Sequence, residues 1–173
     1  VATICQKTGE LHVKHNTDSI ESLMLEAQTM PKATIGIAHT RWATHGQVSL
    51  NNAHPHTAED RIALVHNGII ENHEALKESL SEEDIVWKSQ TDSEVIAHLI
   101  NFHLKKGLNI TSAIEKTTEQ LQGTYALAII DKKTPGNIYI IAHESSLILA
   151  KSNDATFISS DQNAVTMEAT QAC

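Results

Sequence analysis

The chain of 173 residues is poor in the residues that staple, stiffen or stop a fold: two cysteines, three prolines, seven glycines and two each of Trp, Tyr and Phe. Two cysteines, Cys5 and Cys173, are too few to hold a domain of this length by disulfides. Their scarcity points to a reducing, cytoplasmic setting. No apolar run approaches the ~20 residues of a membrane-crossing helix, so no membrane is expected as partner. Basic surface is also missing. A formal charge of −8 excludes nucleic acid and anionic lipid as favoured partners, because both need clustered positive charge. The opening residues Val1–Cys5 carry neither the basic flank nor the small-residue cleavage site of a signal peptide. There is no linker rich in Pro, Gly or Ser and no internal repeat, so residues 1–173 read as one domain. Arginine occurs only twice, at Arg41 and Arg61, against eleven lysines.

What is present is an ordinary globular composition, 40% hydrophobic and 20% charged, with clear local patterning. Val1–Cys5 and Glu10–Lys14 alternate around Lys7-Thr8-Gly9 and predict a hairpin. Asp18 with Glu21 fits a capping box, opening a helix that carries Ile20, Leu23, Met24 and Ala27 and stops before Pro31. Thr91-Asp92-Ser93-Glu94 fits a second box ahead of the stripe Val95, Ile96, Leu99 and Ile100, with Gly107 as its end. Ser112–Leu121 is a third helix, ended by Gly123. Strands are expected at Thr34–His39, Arg61–His66, Thr124–Ile130, Asn137–Ala142, Ser146–Ala150 and Ala155–Ser159.

Thr124–Ile130 is apolar on both faces: Tyr125, Leu127 and Ile129 are large, whereas Ala126 and Ala128, with Ile130, make a mostly small face. A strand of that kind is covered on both sides. With many strands and few helices, the pattern predicts an α+β fold of two stacked, mainly antiparallel sheets flanked by helices, four layers in all.

The segment His39-Thr40-Arg41-Trp42-Ala43-Thr44-His45-Gly46 leaves one of these strands. Its guanidinium is a planar fork suited to a carboxylate, and Thr44 and His45 offer further hydrogen bonds. An ordinary loop, with Arg41 paired to a nearby acid and Trp42 in the core, is the competing reading. Asn51-Asn52-Ala53-His54-Pro55-His56 adds two more imidazoles, yet the spacings fit no zinc motif, so no metal or other cofactor is expected. Asn67-Gly68 lies between apolar residues and has two readings. One is a hairpin turn; the other is an oxyanion hole made from the Asn67 amide and the Gly68 N–H. Asp92 is either an ordinary first-turn acid or, if Thr91 does the capping, a carboxylate left to hold an ammonium. Arg41 and Asp92 together suit an α-amino acid.

Five runs in order resemble the glutaminase domain of glucosamine-6-phosphate synthases: His39–Gly46 (HTRWATHG), Asn52–His56 (NAHPH), Val65–His73 (VHNGIIENH), Gln90–Glu94 (QTDSE) and Gly123–Leu127 (GTYAL). The resemblance implies the αββα sandwich of N-terminal-nucleophile hydrolases and hydrolysis of the L-glutamine side-chain amide to glutamate and ammonia. In such enzymes the ammonia passes to a separate isomerase module, which makes glucosamine 6-phosphate from fructose 6-phosphate, and the whole protein is expected to be a homodimer. It also implies roles: Arg41 for the α-carboxylate, Asp92 for the α-amino group, Thr44 and His45 lining the pocket, Asn67 and Gly68 as the oxyanion hole. Trp42 is then expected near the ammonia route and His54 near the module boundary.

The family's nucleophile is an N-terminal cysteine whose own amine is the base. Here residue 1 is Val1, and Cys5 sits in an apolar strand without a free amine. The expectation is a glutaminase domain truncated at both ends, without the isomerase module, inactive as written. The alternative, of another class, is a non-catalytic glutamine-binding or regulatory module; a histidine-rich metal-binding protein is a third.

Overall fold

The computed structural model describes residues 1–41 and 47–164. Strands β1 (Ala2–Cys5), β2 (Leu11–Val13) and β3 (Ala33–Ile37) form an antiparallel sheet in the order β2-β1-β3. Strands β4 (His56–Ala58), β5 (Ile62–Ile70), β6 (Gly123–Asp131) and β7 (Tyr139–His143) form a second, in chain order. A short hairpin of β8 (Ile148–Lys151) and β9 (Thr156–Ser159) is separate from both. The helices are α1 (Ile20–Ala27), α2 (His73–Ser79), α3 (Glu94–Lys105) and α4 (Ile110–Thr118).

The two-faced pattern of β6 is what the packing uses. Its large residues Tyr125, Leu127 and Ile129 join Ile62 and Leu64 of β5 against Val95, Ile96, Leu99 and Ile100 of α3 and Ala113 and Ile114 of α4. The opposite face, with Ala63, Val65, Ala128 and Ile130, packs on Ala2, Ile4, Leu11 and Ile37 of the first sheet. Small residues there let the sheets stack closely. The result is an α+β sandwich with α2–α4 outside the larger sheet. Helix α1 has no buried residue, so the opposite helical layer of the αββα order is thin.

Local details differ from expectation. Helix α1 is capped by Ser19, whose hydroxyl accepts from the Ser22 N–H, rather than by Asp18. Helix α3 has Ser93 at its cap position without a side-chain cap bond, so Thr91 is not the cap. Glu94 does reach back, but to the N–H groups of Lys88 and Ser89 at 2.9 and 2.7 Å. Asn67-Gly68 is not a hairpin turn. It lies inside the nine-residue β5, with Gly68 opposite Tyr125. Gly68 has φ +134, and a Cβ there would collide with the Thr124 carbonyl and come within 2.9 Å of the Tyr125 Cα, so only glycine fits. The hairpin turn stands at Glu59-Asp60, between β4 and β5, with both residues at positive φ.

Candidate functional site

The far end of β5, the end of the His39–Arg41 segment and the loop before α3 meet at one cleft of about 230 Å³. It is lined by His39, Thr40, Arg41, His54, His66, Asn67, Gly68, Thr91, Asp92 and Ser93. Arg41, His54, Asn67, Gly68 and Asp92, scattered over 52 positions of sequence, are thus brought together. Trp42, Thr44 and His45 lie outside the described residues.

Asp92 is 5% exposed. One carboxylate oxygen accepts the Ile70 N–H at 2.7 Å and the other accepts the Ser93 hydroxyl at 3.3 Å. Ile70 of β5 therefore helps to fix the acid that lines the cleft. The Ser93 hydroxyl also meets His66 Nδ1 at 2.8 Å. Glu94, 2% exposed, anchors the loop carrying Thr91 and Asp92. Burial alone would raise its pKa, but His98, the Lys88 and Ser89 N–H groups and the Ser89 hydroxyl outweigh burial and hold it at about 2. Asn52 ties the same loop to the histidine-bearing one: its Oδ1 accepts from Gln90 N at 2.8 Å and its Nδ2 donates to Gln47 O at 2.9 Å.

Arg41 is half-buried, and its guanidinium reaches Gln47 O at 3.4 Å. Arg61 holds the buried Asp131 through two hydrogen bonds, at 3.0 and 3.2 Å, where β5 and β6 meet. Cys5 is buried in β1 as a small hydrophobe, as expected.

The histidines beside the cleft are packed together. The ring centroids of His39 and His54 are 4.3 Å apart and those of His54 and His56 are 4.6 Å apart. His56 Nε2 meets the Thr91 hydroxyl at 3.0 Å. Burial is the main cause that lowers the pKa of each of His39, His54, His56 and His66, that of His56 to about 4. The sequence offered His39, His54 and His56 as imidazoles on loops but did not show this packing, the His39–Asn67 contact or the place of Thr91 and Ser93. The five histidines between His39 and His66 were the signal, and only the fold orders them.

A family model described as a glutamine amidotransferase domain matches residues 39–167, three quarters of the chain, cleft included. The chain belongs to the glutamine amidotransferase domain family. Among its relatives is a glutamine–fructose-6-phosphate aminotransferase (isomerizing) of Idiomarina loihiensis, 44% identical over 160 residues, covering 92% of this chain and 25% of that protein. The enzyme of the same name from Shewanella oneidensis is 41% identical over 158 residues, covering 91% and 26%. The chain thus spans about a quarter of the length of these curated relatives. Among solved structures, a glutamine phosphoribosylpyrophosphate amidotransferase from B. subtilis, complexed with ADP and GMP, superposes with a TM-score of 0.59 at 25% identity, over 73% of this chain and 27% of that one. A structure described as the allosteric regulatory enzyme of purine biosynthesis gives 0.61 at 26% identity, over 73% and 28%. The amidotransferase sandwich is therefore the fold that positions this cleft.

Proposed function

We propose that this chain is the glutamine-handling domain of a glutamine–fructose-6-phosphate aminotransferase, a glutaminase that splits the side-chain amide of L-glutamine into glutamate and ammonia. The observation that carries the reading is the meeting of Arg41, Asn67, Gly68 and Asp92 at one cleft. Its volume of about 230 Å³ is below the ~300–1,000 Å³ of pockets for drug-sized ligands, which suits a free amino acid. In this reading the Arg41 guanidinium takes the α-carboxylate and the Asp92 carboxylate takes the α-ammonium. The Asn67 side-chain NH2 and the Gly68 N–H face the tetrahedral oxyanion. His54 also lines the cleft, and the resemblance assigns Trp42, Thr44 and His45, outside the described residues, to the pocket and the ammonia route.

The nucleophile of this chemistry is a cysteine whose own α-amine is the base. Cys5 is buried in β1 and has no free amine, so it does not supply this nucleophile. The whole protein passes ammonia to an isomerase module acting on fructose 6-phosphate and works as a cytoplasmic homodimer; the names of the relatives support the substrate.

Intact mass and terminal sequencing of the native protein, with and without a thiol-alkylating glutamine analogue, test the assignment. A stoichiometric adduct on a cysteine that forms the native N-terminus is expected. Glutamine binding without any adduct overturns the enzyme in favour of a binding module.

A further inference from the structure

The reading above leaves the buried histidine stack without a role, and its contact with Asn67 supplies one. A neutral imidazole has one N–H and one lone pair, and a carboxamide oxygen can only accept. His39 Nε2 stands 2.6 Å from Asn67 Oδ1, so Nε2 carries the proton and donates it. Burial lowers the His39 pKa, favouring the neutral ring, against the pull of that hydrogen bond and of the His66 backbone. Its Nδ1 is buried without a partner, which suits a lone pair better than a stranded N–H. Once its oxygen is taken in this way, the Asn67 carboxamide has only its NH2 left to present to the cleft. Flipped, it would turn an oxygen toward any developing negative charge and repel it.

The imidazole is itself braced. His54 packs on it with ring centroids 4.3 Å apart and planes tilted by 38°, His56 meets His54 edge-on, and the Thr91 hydroxyl meets His56. Thr91 is adjacent to Asp92, and its hydroxyl also meets that of Ser89, which donates to Glu94 at 2.8 Å. One continuous set of contacts thus joins the loop bearing Asp92 to the amide of Asn67.

We propose that His39 is a positioning residue: its Nε2–H locks the Asn67 carboxamide with the NH2 toward the cleft, and the stack through His54 and His56 to Thr91 keeps that imidazole in register. This rests on Asn67 acting as an oxyanion donor.

The test is steady-state glutamine hydrolysis by the native protein and its His39→Leu, His39→Gln, His39→Asn, Asn67→Ala and His39→Leu/Asn67→Ala variants. Losing an oxyanion donor costs ~10²–10³ in kcat, so Asn67→Ala is expected in that range and His39→Leu at least ~10-fold down, with KM little changed. Glutamine carries an N–H near the position of imidazole Nε2, so His39→Gln recovers most of kcat; the shorter His39→Asn does not. In the Asn67→Ala background, His39→Leu adds nothing, which a merely structural role would not produce. Should His39→Leu fail to fold, the Gln and Asn variants decide by the same contrast. Equal losses in Gln and Asn, an undiminished loss in the double variant, or unchanged kcat in His39→Leu each overturn the positioning role. Unchanged kcat in Asn67→Ala instead overturns the oxyanion reading beneath it, and positioning falls with it.

Discussion

Asp92 shows how one buried carboxylate serves structure and ligand at once. The Ile70 N–H takes one oxygen at 2.7 Å, leaving lone pairs of the second for the cleft beside the Ser93 hydroxyl. Asp92→Asn keeps an acceptor for Ile70 and removes the charge. That variant is expected to melt within a few degrees of the parent while losing at least ~30-fold in glutamine affinity by calorimetry, about 2 kcal/mol for a desolvated charge pair. Asp92→Ala strands the Ile70 N–H and is expected to cost a further ~1–3 kcal/mol of stability in urea unfolding. Gly68 is less forgiving. A methyl group there meets the Thr124 carbonyl, and the backbone already sits at φ +134, so Gly68→Ala is expected to destabilise the chain by ~3 kcal/mol or more. A drop in melting temperature checks this.

At the scale of elements, the loop from Lys88 to Asp92 is organised by Glu94 rather than by a helix cap. Its carboxylate accepts from two backbone N–H groups and the Ser89 hydroxyl, so Glu94→Ala leaves several buried donors unpaired. The expected cost is about 3 kcal/mol, with a parallel loss of glutamine binding, measured by urea titration and calorimetry. Elements whose signal is a packing stripe or a two-faced strand were legible in the sequence: α3, β6 and the pairing of β1 with β2 fall where the residues place them. Elements that depend on tertiary contacts were not. Strand β4 is three residues, His56-Thr57-Ala58, without an alternating pattern, and α2 buries only Leu76. The hairpin signal misled for a physical reason. Glycine at position 68 answers the close approach of β6, not a turn, whereas the real turn uses Glu59 and Asp60 in a conformation that Asn-Gly usually takes. Ion pairs from Lys105 to Glu59 and from Lys132 to Asp60 accompany that unusual choice. At the site, Arg41, Asn67 and Asp92 were readable as types suited to an amino acid, but the contact of His39 with Asn67 depends on two segments 28 residues apart.

For the whole molecule, the cluster of buried neutral histidines makes stability depend on pH. His56 titrates at about 4 when folded and ordinarily at 6.5, so between these values the unfolded chain binds the proton and the folded chain does not. Its contribution is complete above pH ~6.5 and is lost as the pH falls toward 4, amounting at most to about 3 kcal/mol. His39, His54 and His66 are shifted in the same direction by burial. Glu94 acts in a lower window. Its folded value of about 2 against an ordinary 4.5 contributes stability above pH 4.5 that is lost below it. The urea midpoint is therefore expected to fall steadily from pH 6.5 to 4 and more steeply below 4.5. A midpoint flat across the upper window would show that the imidazoles are solvated.

The bond from the Ile70 amide to Asp92 has one more consequence. An amide proton held by a carboxylate within a buried strand exchanges slowly with solvent and resonates far downfield. The Ile70 signal in a proton–nitrogen correlation spectrum would thus report, from inside the core, whenever the charge on the opposite face of that carboxylate is met by a ligand.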